Sequence, residues 1–183
     1  MMDNLPDLLD QIETPRLRLR CPRPEDAAAI SGMMTPAVSR WLASWPVPFT
    51  SAMAAERIAA ARQAVSQGAA LLFIVERRQD DTPLGWIGVV RDRPADASAM
   101  LGYWLGEAYQ GHGYMREAAP VVVAAAFRLM GLEAVEAAAQ PENAASFAVL
   151  RGCGMEPAGE CTVFASARGR EEFCLRYEIK RTG

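Results

Sequence analysis

The chain has 183 residues, which suits one domain folded around one hydrophobic core. An apolar fraction of 51% with 22% charged residues is that of an ordinary globular protein and excludes a disordered chain. A net charge of −3 argues against a nucleic-acid partner, and no stretch approaches the roughly 20 apolar residues that cross a membrane.

Residues 1–13 read as an N-terminal extension in which Leu8, Leu9 and Ile12 form one helical turn. Met1 to Ile12 carries acids where a secretory signal needs a basic start, so a cytoplasmic protein is expected. Thr14-Pro15-Arg16-Leu17-Arg18-Leu19-Arg20 alternates apolar and basic residues, the period of a half-buried strand with Leu17 and Leu19 inward. Pro24-Glu25-Asp26 opens a helix that runs to about Met34 and ends before Pro36. Val38 to Thr50 holds Trp41, Trp45, Pro46 and Pro48 and reads as a bent aromatic connector. Its two tryptophans either pack on the core or wall an acceptor pocket. Thr50 or Ser51 caps the next helix, about 51–67, and Gly68 stops it.

Leu71–Glu76, Leu84–Val90 and Ser98–Leu105 are strands joined by the polar turns Gln79–Pro83 and Asp92–Asp96, an antiparallel meander. Residues 114–130 form a buried helix containing Pro120, and Gly131 stops it. Leu132–Ala138 then lies parallel to Ser98–Leu105, because a helix connects the two in one right-handed βαβ crossover. A short helix to Arg151 and strands near 158–166 and 171–179 close the chain. The expected fold class is α+β, a mixed, mostly antiparallel sheet of about six to seven strands flanked by helices, with residues 1–183 as one domain.

Four cysteines, Cys21, Cys153, Cys161 and Cys174, are scattered without a C-x-x-C pair, and His112 is the single histidine. Disulfide, zinc and Ser-His-Asp schemes therefore have no basis, and no metal is expected. The chemistry concentrates in Tyr103 to Ala118, a strand, a glycine loop and a helix. Gly111 and Gly113 stand where that helix begins, and the first amides of a helix have no internal partner. Backbone alone can hold a diphosphate there. The dinucleotide fingerprint needs a glycine where Arg116 stands, and the triphosphate loop needs a Gly-Lys-Ser/Thr run that is absent. What remains is Gln110-x-x-Gly113-x-Met115.

That motif resembles the acyl-CoA loop of the GNAT superfamily of N-acetyltransferases, Gln/Arg-x-x-Gly-x-Gly/Ala, with Met115 in the last place. A second signature follows in order: Asn143, Ser146, Leu150, Gly154 and Met155 match the family's asparagine, short helix and Gly-Phe turn, with methionine for phenylalanine. The Thr-Pro-Arg-Leu opening and the Trp-Pro connector resemble the Rim-type branch, which acetylates the N-terminal amine of ribosomal proteins.

The resemblance implies a GNAT fold and acetyl-CoA as co-substrate. The strand carrying Tyr103, Trp104 and Leu105 would splay from the later strand and admit the pantetheine arm. A free amide near Trp104 or Leu105 would face the thioester oxygen. Gln110, Gly111, His112, Gly113, Tyr114, Met115 and Arg116 would hold the diphosphate, and Asn143 the cofactor arm. Leu150 stands where many members carry a tyrosine acid, so Ser146 is the candidate acid and also lies near the thiol. Glu107, Glu76 and Glu142 are candidate bases. Trp41, Trp45 and Tyr103 would line the acceptor site. The implied partners are acetyl-CoA and a primary amine, a peptide N-terminus or a small molecule, with the protein a monomer or homodimer. A non-catalytic acyl-CoA sensor is the alternative.

Overall fold

The alternation in Thr14–Arg20 does build a strand, β2 (Leu17–Arg20), with Leu17 and Leu19 fully buried. The computed structural model describes residues 11–93 and 95–181. Strand β1 (Gln11–Glu13) pairs antiparallel with β2, and the meander is β3 (Ala70–Arg77), β4 (Thr82–Val90) and β5 (Ser98–Leu105). Then come β6 (Ala134–Ala139), β7 (Glu156–Ala165) and β8 (Arg170–Lys180). They form one sheet of eight strands in the order β1-β2-β3-β4-β5-β6-β8-β7, in which only β5 and β6 run parallel.

The strand beyond the expected six to seven is β1. Ile12 lies in it and not in a helical turn, while Leu8 and Leu9 are outside the described residues. A tight turn makes the hairpin: Thr14 N–H donates to Leu17 O at 2.9 Å, and Leu17 N–H donates to Thr14 Oγ1 at 3.1 Å. β1 thus covers the open edge of β2, a term that three residues of sequence do not announce.

The helices follow their signals closely. A 3-10 turn at Pro24–Asp26 leads into α1 (Ala27–Met33). Thr35 caps α2 (Pro36–Ser39), a short turn inside the connector, and Thr50 caps α3 (Ser51–Ser66) by accepting from Met53 N–H at 3.2 Å. Helix α4 (Tyr114–Met130) ends on Gly131 at φ +66°, and Asn143 caps α5 (Ala144–Gly152). Side chains alternate across the sheet, so its two faces differ. Ile74, Trp86 and Trp104 face α1 and α3, whereas Phe73, Ile87 and Leu101 face α4. The alanines and valines of α4 let it lie close to the sheet.

The feature that positions the site is a parting of strands. β5 and β6 pair only at Ser98–Met100 against Ala134–Glu136. Beyond that, β6 continues to Ala139 with β8 as its partner, and β5 continues to Leu105 with β4. Residues 101–105 and 137–139 therefore face each other across an opening.

Candidate active site

The mouth of that opening is the loop before α4. Gly111 and Gly113 both sit at φ +77°, and a Cβ at Gly111 would meet nothing within 4 Å. Conformation, not space, demands glycine there. Hydrogen bonding within α4 starts with Glu117 N–H to Gly113 O at 3.1 Å, so the amides of Tyr114, Met115 and Arg116 precede it. Side chains hold the loop from behind. Gln110 Nε2 donates to Leu105 O at 3.0 Å, and Arg16 Nη1 donates to His112 O at 3.0 Å. Arg16 also pairs with Glu117 at 2.6 Å and lies over the Tyr114 ring at 4.8 Å. Burial would raise the Glu117 carboxyl, but donation from Thr14 and Arg16 outweighs it and keeps the group below the usual carboxylate range.

The backbone of β5 can be oriented by its ladder. Gly106 N–H donates to Leu84 O at 2.9 Å, so it points to β4. By the two-residue alternation of an antiparallel pair, Trp104 points to β4 as well, while Leu105 and Tyr103 turn their N–H and C=O groups toward the opening. Gln110 on Leu105 O agrees with this. Of the two amides expected near the reacting carbonyl, Leu105 is the one aimed into the gap.

Across the opening stands the N-terminus of α5. Asn143 Oδ1 accepts from Ser146 N–H at 3.1 Å, which leaves its amide nitrogen for another partner. Ser146 Oγ lies 2.8 Å from Tyr103 Oη, which also donates to Ser146 O at 3.2 Å. Burial pushes the Tyr103 phenol up, against the pull of its Ser146 hydrogen bond, so it stays protonated and a donor. Leu150 is fully buried and carries no acid–base group. Burial also pushes the Cys153 thiol up to about 11, which suits an inert apolar role.

A cavity of about 1240 Å³ connects these parts and continues to the other face of the sheet. Gln110 to Arg116, Tyr103 to Leu105, Asn143 and Ser146 line one half. Trp41, Trp45, Trp86 and Arg57 line the other, with Gly88 and Gly102 in the floor. Trp45 is both core and wall: it meets Trp104 at 5.1 Å and Trp86 at 5.6 Å, ring centre to ring centre. The connector is tied to the last hairpin, where Arg168 Nη1 donates to Ser39 O and Leu42 O at 3.0 and 3.1 Å. Arg168 in turn pairs with Glu172 at 2.7 Å.

The carboxylates stand elsewhere. Glu76 is buried between Arg18 at 2.7 Å and Arg20 at 2.6 Å, and Arg20 also holds Asp26. Glu107 hydrogen-bonds the Thr35 hydroxyl, and neither it nor Glu142 lines the cavity. Among the described residues Asp92 is the one acid in the cavity lining. Among the described residues no group of three or more His, Cys, Asp or Glu is placed to hold a metal, and no helix is long and apolar enough to cross a membrane. Sequence reasoning missed Arg57. A signal existed: it falls between Ala54 and Ala61 at helical spacing, a charge on the inner side of α3.

The acetyltransferase (GNAT) domain family matches residues 16–156. An uncharacterised N-acetyltransferase, p20, of Bacillus licheniformis is 26% identical over 164 residues, 88% of this chain and 91% of that protein. A candidate ribosomal-protein-serine acetyltransferase of Vibrio cholerae superposes with a TM-score of 0.76 at 25% identity, over 93% of this chain and 97% of the other. RimJ of Mycobacterium smegmatis, in complex with CoA-disulfide, superposes with a TM-score of 0.78 at 24% identity, over 90% of this chain and 81% of the other. At that last identity the likeness is one of fold.

Proposed function

This chain belongs to the acetyltransferase (GNAT) domain family, and from that premise we propose that it transfers the acetyl group of acetyl-CoA to an α-amine, such as a peptide N-terminus, by direct attack in a ternary complex. The observation that carries the reading is the parting of β5 from β6 with the glycine loop at its mouth, both lining one cavity. The residues present fit the co-substrate. The amides of Gly113 to Arg116 would bind the diphosphate at the positive end of α4, with Arg116 beside them. The exposed edge of β5 and the free side of Asn143 would pair with the amides of the pantetheine arm.

Leu105 N–H is assigned as the donor to the oxygen on which charge develops as the amine attacks. Ser146 Oγ is assigned as the proton donor to the departing sulfur, with Tyr103 as its hydrogen-bond partner. Trp41 and Trp45 would position the amine, and holding both reactants in one cleft supplies much of the rate. The amine must arrive neutral, and among the described residues the cavity wall offers Asp92 and His112 as bases. An α-amine, with pKa near 7.7–8.0, is neutral in roughly a tenth of molecules at pH 7. A lysine-like amine is neutral in only roughly one in 2,500. This difference favours the α-amine, as does the resemblance of the Thr14–Arg20 opening to the Rim-type branch.

The test is a thermal melt with acetyl-CoA, followed by thiol release with a panel of amines. At a hundredfold excess over Kd the melting temperature should rise on the order of 5–10 °C, and thiol release should favour α-amines. No rise at millimolar acetyl-CoA would overturn the reading. The buried Leu150 in place of a tyrosine acid favours one rival, a non-catalytic acyl-CoA sensor. Turnover with any amine ends that rival; binding without turnover across the panel would establish it.

A further inference from the structure

The acceptor half of the cavity contains a cation, Arg57, that no ion pair among the described residues engages. Arg57 stacks on Trp45 with its Cζ 4.2 Å from the ring centre and lies 5.9 Å from that of Phe49. Its Nη1 donates to Ser44 Oγ at 3.3 Å and its Nη2 to Ser44 O. Among the described residues no carboxylate stands within ion-pair distance of it. Arg20, which is buried, shows the usual remedy: Asp26 and Glu76 flank it at 2.7 and 2.6 Å. Arg57 lacks that remedy, and burial lowers its pKa from the ordinary guanidinium value.

A cation in the cavity wall with no carboxylate partner among the described residues describes the missing group as an oxygen anion. A guanidinium has five N–H groups in a planar fork that matches carboxylate or phosphate, and Ser44 occupies only part of it. We propose that Arg57 is a specificity-determining residue and that the acceptor is an amine carrying a carboxylate or phosphate, whose anion lies against Arg57. This rests on the acetyl-transfer reading above and names the class of acceptor within it.

The test uses the intact chain and matched acceptors that differ in the anion. One pair is a tripeptide amide starting with aspartate against the same peptide starting with asparagine. The other is phosphoethanolamine against ethanolamine. Values of kcat/KM are taken per neutral amine. In the wild type one pair should favour its anionic member by about ten- to a hundredfold, and which pair it is identifies the anion's source. In Arg57→Gln that preference should fall toward unity through KM, while the acetyl-CoA thermal shift stays. Arg57→Lys, which keeps the charge without the fork, should retain part of it. A purely structural Arg57 would lower both members of a pair alike. Equal rates within both pairs in the wild type, or a preference that survives Arg57→Gln, would overturn the proposal while acetyl transfer stands. Should Arg57→Gln not fold, the wild-type ratio still decides. If acetyl-CoA binds but no amine of either pair reacts, this proposal is overturned; the amine panel described above separately decides acetyl transfer.

Discussion

The two halves of the cavity are built from different materials. The half proposed for the acetyl donor is mostly backbone: the amides opening α4, the β5 edge turned toward the gap, and a cap at α5. Its parts fall in two short stretches, 103–116 and 143–146. The half proposed for the acceptor is mostly side chain, with Trp45 from the connector, Arg57 from α3, Trp86 from β4 and Trp104 from β5. A backbone site needs glycines, caps and a helix start at set spacings, so many sequences can keep it. A side-chain site depends on which residues the fold brings together, so it can change with the acceptor while the donor half stays.

Substitutions that act on one half alone sharpen this contrast. The largest effect is expected at Ser146. Ser146→Ala should lower kcat by about 10²-fold or more and leave acetyl-CoA binding intact, because the hydroxyl acts only as the sulfur departs. An unchanged kcat in thiol-release assays would remove Ser146 from the chemistry. Next is Gly113→Val, which forces a β-branched residue to φ +77°. Strain of about 1–3 kcal/mol and a distorted cradle should weaken acetyl-CoA by at least about tenfold in calorimetry, with acceptor preference unmoved. A normal affinity would place the diphosphate elsewhere.

The smallest effect belongs to the latch under the acceptor half. Donation from Arg168, then from Arg170 and Gln140, holds the Glu172 carboxyl at about 2 against a usual 4.5. Its folded-state pKa is depressed, so its stabilisation is present above about pH 4.5 and is lost as pH falls toward 2. Glu172→Gln should cost about 1 kcal/mol at pH 7 and flatten the acid limb of stability within that window. Urea denaturation at pH 7 and pH 3 checks it. An equal loss at both values would show that the carboxylate's charge is not what matters.

Local chemistry explains why so much was readable in advance. Pro24, Thr50, Gly68, Gly131 and Asn143 each stop or start an element through their own dihedrals or hydrogen bonds, and the elements lie close to where those residues place them. The strand Gln11–Glu13 was not readable, because its pairing depends on an open edge of β2 and not on its own three residues. Glu76 shows the same limit in the site. In the chain it is one acid among many; in the fold, Arg18 and Arg20 from the neighbouring strand occupy it.

Order of elements, the glycine loop and the asparagine cap follow from short-range forces, in which each residue meets neighbours a few positions away. The insertion of β8 between β6 and β7 follows from contacts between distant segments, as does the choice of Leu105 over Trp104 for the amide facing the gap. So do the Tyr103–Ser146 pair and the lone guanidinium on Trp45. Sequence spacing carries a periodicity but no register between strands, and register decides which groups meet.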